Sequence, residues 1–151
     1  MKKIAFLGMT LLAFFTIKQG FGKQGFGVAS PKQELREFLK AHYLNAAYNE
    51  LQMEKLYEGF HPDFFMVWID EGQVKTLDFT SWVKIIAAQI KDDIPRSFQY
   101  EFKRISLDSQ SATVEIDLFQ AGRLMYKDTL FLKRNEEQWV VVHKYFTKAD
   151  Q

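Results

Sequence analysis

Two side chains near the C-terminal end carry the clearest chemical suggestion in this sequence. Asp128 lies in a stretch where Leu124, Tyr126, Leu130 and Leu132 recur at every second position. His143 lies in another, with Trp139, Val141 and Tyr145 at the same spacing. A period of two places such residues on one face of a strand. Asn135-Glu136-Glu137 supplies a turn between the runs, so the two strands should be adjacent and antiparallel, with their apolar sets sharing the core face. Asp128 and His143 are then expected to point inward, opposite or diagonal to each other. A carboxylate beside an imidazole raises the imidazole pKa and fixes its tautomer, which suits a general base. The same geometry serves equally for a buried, mutually satisfied polar pair, and the sequence offers no nucleophile or second base beside it.

The other titratable candidates read more plainly. His61, in Phe60-His61-Pro62-Asp63, stands at a helix end, as a general base or ligand or as a residue that interacts with the last helix carbonyls. His42 falls on the apolar stripe of the first helix, as a pocket-lining group or a satisfied core histidine. Asp70 precedes Glu71-Gly72, which is good turn chemistry. Tyr43, Trp68, Tyr100, Tyr126 and Trp139 are candidates to line a cavity for a flat apolar ligand, although most aromatics serve as plain core. No His-x-His spacing, glycine-rich phosphate loop or Gly-x-Ser-x-Gly string occurs. No metal and no cofactor are therefore expected.

Composition limits what these residues can belong to. The chain has 151 residues, enough for one domain. It is 47% hydrophobic and 26% charged, too apolar for a disordered chain. Its 15 Phe, 6 Tyr and 3 Trp allow a sizeable core or an aromatic-lined cavity. The formal charge of +1 implies no polyanion-binding surface, so nucleic acid is not an expected partner. The absence of cysteine excludes disulfides, thiolate metal sites and a cysteine nucleophile.

The N-terminus reads as a targeting segment. Lys2 and Lys3 precede the apolar run 4–17, which is shorter than the ~20 residues of a membrane-spanning helix and suits a secretory signal. Gly20 and Gly22 place small residues at the −3 and −1 positions of a cut after Gly22; Gly27 and Ala29 offer a second cut after Ala29. We expect a signal peptide over 1–22, a flexible segment over 23–33, and a domain over 34–148. Export to the periplasm or medium is expected, with no permanent membrane anchor. Removal of 1–22 leaves 17 basic against 19 acidic residues.

The elements that must position the site follow from periodicity. Ser30-Pro31 starts a helix that the spacing of Leu35, Phe38, Leu39, His42 and Ala46 carries to about Tyr48. A short helix over roughly 53–60 follows. A strand over 64–69 then turns at Asp70-Glu71-Gly72 into a return strand over 73–77. Asp78 or Thr80 caps a third helix bearing Trp82, Ile85, Ile86, Gln89 and Ile90 on its apolar side. Four long antiparallel strands complete the chain, the first with a phase slip at Lys103-Arg104 that suggests a bulge. The class is α+β, three helices packed on one face of a strongly curved sheet.

This order resembles the nuclear transport factor 2-like superfamily, and within it the bacterial group described as putative lumazine-binding proteins. The resemblance rests on Tyr43 and Tyr48, Glu54-Lys55-Leu56, Phe60-His61-Pro62-Asp63, Val114-Glu115-Ile116-Asp117, Asp128-Thr129-Leu130-Phe131-Leu132 and Trp139-Val140-Val141-Val142-His143-Lys144, and covers about 35–147. It departs at His143, where a polar residue such as Asn is expected before the Lys, and at Asn135-Glu136-Glu137, where an Asp-Gly turn is usual. It implies a cone-shaped fold with a mixed or antiparallel sheet. It also gives Asp70 a possible counterpart in the proton-abstracting acid of the superfamily's ketosteroid isomerases. The tyrosine of their oxyanion hole has no clear match, Tyr43 being off by one. The fold hosts enzymes, binders and scaffolds alike.

The leading expectation is an exported small-molecule-binding domain without catalysis. The alternatives are an isomerase- or cyclase-like enzyme using Asp128 and His143 on a cyclic, enolisable substrate, and a protein-interaction module. Relatives pair through the outer sheet face, so a homodimer is expected to cover Phe119, Phe131, Val140, Val142 and Phe146, which alternate with the inward set.

Overall fold

The computed structural model describes residues 29–91, 96–136 and 138–149. The expected signal segment lies outside them. Helix α1, Pro31–Leu39, begins as its sequence dictates: the Ser30 hydroxyl accepts from the Gln33 amide at 3.2 Å, and Pro31 occupies the first turn. The helix then widens. Lys40–Asn49 is a π-helical segment, in place of the uninterrupted α-helix that the periodicity predicts. At its end the Glu50 amide reaches back five residues to the Asn45 carbonyl, at 2.7 Å, and Leu51 at φ 53° turns the chain away.

Helix α2, Met53–Gly59, leads directly into strand β1, Phe60–Asp70. Glu71 and Gly72, both at positive φ, form a two-residue turn to β2, Gln73–Asp78. Asp78 caps helix α3, Phe79–Ile90, its carboxylate accepting from the Ser81 amide at 2.9 Å and the Ser81 hydroxyl at 2.8 Å. Helix α3 buries Phe79, Trp82, Val83 and Ile86, whereas Ile85 and Ile90, expected on the apolar side, are about half exposed. Strands β3 (Phe98–Leu107), β4 (Ser111–Gln120), β5 (Arg123–Asn135) and β6 (Gln138–Lys148) follow.

The six strands form one sheet in the order β2-β1-β6-β5-β4-β3. All neighbours are antiparallel except β1 and β6, which run parallel. The sheet is mixed, and the helices cover one face. The register of β3 against β4 shifts between Phe102 and Arg104, where the phase slip predicts a bulge. A second shift decides the site. Leu132 pairs with Val141 and Phe131 with His143, so Val142 is an extra residue in β6. A bulge of one residue reverses which side chains face inward beyond it. Trp139 and Val141 face the core before the bulge; Lys144 and Phe146 do so after it. His143 and Tyr145 are turned to the outer face. The expectations that His143 points inward and Phe146 outward are both reversed for this one reason.

Candidate functional site

Four polar side chains meet inside the cone. Asp128 and Lys144 are 2% and 3% exposed. They sit diagonally on β5 and β6, where Leu130 pairs with Lys144 and Asp128 with Phe146. Lys144 Nζ lies 3.1 Å from Asp128 Oδ2, 2.6 Å from the Tyr43 hydroxyl and 2.8 Å from the Tyr48 hydroxyl. Tyr43 donates a short hydrogen bond to Asp128 Oδ2. Its single proton is then committed, so the 3.0 Å contact between the two phenols runs from Tyr48 to Tyr43. The rings of Tyr43, Tyr48 and Phe146 lie 5.1, 5.5 and 4.9 Å from the ammonium, enclosing it on its remaining sides. Asp128 Oδ1 is buried without a hydrogen-bond partner among the described residues.

The π-helical segment explains how two tyrosines five positions apart reach one ammonium. In an α-helix of 3.6 residues per turn, Tyr43 and Tyr48 would project from well-separated flanks. The wider i to i+5 winding brings them to the same side. Asn49 fixes the end of the segment: its side chain accepts from the Phe98 amide at 2.7 Å and donates to the Phe98 carbonyl at 3.2 Å, tying it to the start of β3.

The cluster holds its protons more tightly than its members would in water. Burial raises the Tyr43 phenol well above its ordinary range, and the Asp128 charge raises it further. Burial also raises Tyr48. Asp128 is raised because burial outweighs the opposing pull of Lys144 and Tyr43. Burial works against the Lys144 charge, but the Asp128 and Tyr48 contacts overcome it and leave its pKa raised. Two charged groups that would each be costly to bury alone are thus held together as an ion pair, with the two phenols hydrogen-bonded to it.

Lys144 and Tyr48 form one end of a cavity of about 250 Å³. Trp68 and Phe146 stack along its wall with ring centres 5.3 Å apart, and Tyr126 meets Phe146 edge-on at 5.9 Å. Trp82, Phe98 and Met66 continue the apolar lining. Arg96, Gln89 and Lys148 also border it. Lys148 is exposed and Arg96 half-buried, whereas Lys144 is 3% exposed, so Lys148 marks the solvent side of this lining.

Of the residues singled out from sequence, Trp68 and Tyr126 line this cavity, and Tyr43 lies behind it in the hydrogen-bonded cluster. Tyr100 packs against Phe102 and does not border it. Trp139 is buried elsewhere, under the Arg134 guanidinium. His42 is also outside: its Nδ1 lies 3.0 Å from the Lys55 carbonyl, and its Cβ packs so closely on Gly59 that a methyl there would come within 2.4 Å. His61 Nδ1 accepts from the Asp63 amide at 3.2 Å. Asp70 closes the β1–β2 hairpin opposite Gln73.

Asp128 and His143 do not meet. The His143 ring lies between Phe65 and Phe131 on the outer face, at 4.3 and 5.4 Å, with Nδ1 2.9 Å from the Phe65 carbonyl. The partner that Asp128 has instead, Lys144, is adjacent in sequence to the one expected. Its signal was a lysine inside an otherwise apolar strand, and only the bulge gives that signal meaning. No group of three or more His, Asp or Glu among the described residues forms a metal site. No helix among them is long and apolar enough to cross a membrane.

Comparison with known proteins bears on this geometry. The family described as "Putative lumazine-binding" matches residues 30–147. A search of curated proteins finds no match. Among solved structures, an NTF2-like protein of unknown function from Shewanella baltica superposes with a TM-score of 0.65 at 15% identity, covering 82% of this chain and 100% of its own. One from Methylobacillus flagellatus gives 0.62 at 16%, covering 82% and 97%. One from Silicibacter pomeroyi gives 0.61 at 15%, covering 76% and 92%. At these identities the likeness establishes the fold, that of nuclear transport factor 2-like domains.

Proposed function

Since the chain belongs to the family described as "Putative lumazine-binding", we propose that it is a binding domain for a small planar molecule. The observation that carries this reading is the cavity itself: about 250 Å³, aromatic-walled, and closed at one end by the Tyr48 hydroxyl and the Lys144 ammonium. Ligand sites combine a largely apolar lining with a few fixed polar groups, and here the fixed groups are already oriented by Asp128 and Tyr43. The buried pair works as a rigid floor. The enzymatic alternative built on Asp128 and His143 lacks its geometry, because the two side chains lie on opposite faces of the sheet.

Lumazine, a flat bicyclic heterocycle, is the first probe to use. Trp68 and Trp82 border the cavity, so entry of a planar ring should quench tryptophan fluorescence saturably. Tyr48→Phe should weaken that binding about three- to tenfold, the loss of the one hydrogen bond its oxygen can still accept from a ring N–H. A linear, unsaturable response, unchanged in Trp68→Leu, would sink lumazine as a ligand of this site.

Two further parts of the proposal concern context. We place the protein outside the cytoplasm on the strength of residues 1–22; N-terminal sequencing of the mature protein should begin at or near Lys23, and an intact Met1 would refute it. We also assign the outer sheet face to a homodimer. Phe65 and Phe131 are 45% and 37% exposed there with the His143 ring between them, an apolar patch that a second copy would cover. Light scattering that shows a monomer at high micromolar concentration would reject the dimer.

A further inference from the structure

Among the described residues, the charges that border the cavity are all of one sign. Lys144, Arg96 and Lys148 border it, and no carboxylate among the described residues does. This contrasts with a chain whose formal charge is only +1. The three cations are not equivalent. Lys144 is neutralised by Asp128 and donates to both phenols. The side chains of Arg96 and Lys148 have no hydrogen bond or ion pair with any described residue. Positive charge with no side-chain partner among the described residues therefore stands on the solvent side, and the buried side holds a Lys144 charge that Asp128 already neutralises.

We propose that the ligand is a flat apolar molecule bearing one anionic group, bound with its rings inward against Trp68 and Phe146 and its anion at the rim between Arg96 and Lys148. This rests on the binding function proposed above and adds the charge and orientation of the ligand. A charged group driven to the floor would lose its hydration and meet a Lys144 charge that Asp128 already neutralises. At the rim it stays partly hydrated and gains charge-assisted hydrogen bonds from a guanidinium and an ammonium that have no side-chain partner among the described residues. The anion is a carboxylate or a phosphate; both meet the same chemistry.

Three probes of one shape test this: 2-naphthoate, 2-naphthyl phosphate and the neutral 2-naphthamide, titrated against tryptophan fluorescence and by calorimetry. At least one anion should bind about tenfold or more tightly than the amide, and added salt should weaken the anion alone. Preference for naphthoate identifies a carboxylic acid as the natural class; preference for the phosphate identifies a phosphorylated compound. In the Arg96→Gln/Lys148→Gln double variant, which alters only half-buried and exposed side chains, the anion-to-amide ratio should fall to about one. Equal binding of acid and amide by the wild type would overturn the charge assignment and leave the cavity reading standing. A preference that survives the double variant would overturn the orientation. If none of the three binds to folded protein, the binding function itself fails.

Discussion

Lys144 and Asp128 form an ion pair, Nζ to Oδ2 at 3.1 Å, sealed from solvent by the Tyr43 and Tyr48 hydroxyls and the Phe146 ring. The pair spans neighbouring strands and receives its third and fourth members from a helix 85 to 101 positions away in the chain. It links the π-helical segment to the middle of the sheet. Its energetic character is that of a buried pair: little net stabilisation from the charges themselves, but a large penalty for leaving one of them alone.

Removing one partner should therefore cost far more than removing both. Lys144→Met strands the Asp128 carboxylate and should lower unfolding free energy by about 3–5 kcal/mol. Asp128→Leu combined with Lys144→Met should recover most of that loss. Urea denaturation of the single and double variants measures the difference; a double variant as unstable as the sum of both singles would show that the two groups do not interact.

Alkaline pH should loosen the fold through the same cluster. Tyr43, Tyr48 and Lys144 all have raised pKa values in the folded protein. The folded state thus keeps protons that the unfolded chain releases from about pH 10 upward. Where the folded state binds more protons, stability falls as pH rises. Stability should be fully present below the unfolded values and be lost as pH climbs through the raised folded ones. Phenolate absorbance should show that two of the 6 tyrosines ionise only together with unfolding. Free titration of all six in the native protein would contradict the burial of this pair.

The two phenols should differ in what they support. Tyr43 is fully buried and donates to Asp128. Tyr43→Phe removes a donor from a buried carboxylate and should cost about 1–3 kcal/mol of stability. Tyr48 borders the cavity, so Tyr48→Phe should cost less stability and more ligand affinity. Thermal melts and lumazine titrations of the two variants would reverse this order if the assignment of roles is wrong.

Gly59 should tolerate no side chain. A methyl there would lie 2.4 Å from His42 Cβ, where α2 crosses the π-helical segment. Gly59→Ala should destabilise by about 1–3 kcal/mol as an overpacked contact. His42→Ala should not rescue it, because the nearest atom is the Cβ that alanine keeps. Rescue in the double variant, read by urea midpoint, would mean that the imidazole ring and not the backbone spacing sets the distance.

Local chemistry made much of this architecture legible in the sequence. The Ser30-Pro31 start, the Asp78 cap, the Glu71-Gly72 turn and the period-two strands each depend on residues close together in the chain. The inward facing of Asp128 was equally local, since Tyr126, Leu130 and Leu132 share its phase. The phase of His143 was not. One extra residue, Val142, changes it, and nothing in Val140-Val141-Val142 marks which valine is extra; pairing with Phe131 and Leu132 decides that. The widening of the first helix is of the same kind. Its residues favour an ordinary helix, and the π-helical winding is accompanied by contacts made only in the folded chain, from Tyr43 and Tyr48 to Lys144 and from Asn49 to Phe98. The sequence by itself determined the elements, the class of fold and one carboxylate of the site. Tertiary structure decided that carboxylate's partner, because the facing of a strand is set by its register against a neighbour and not by its own residues.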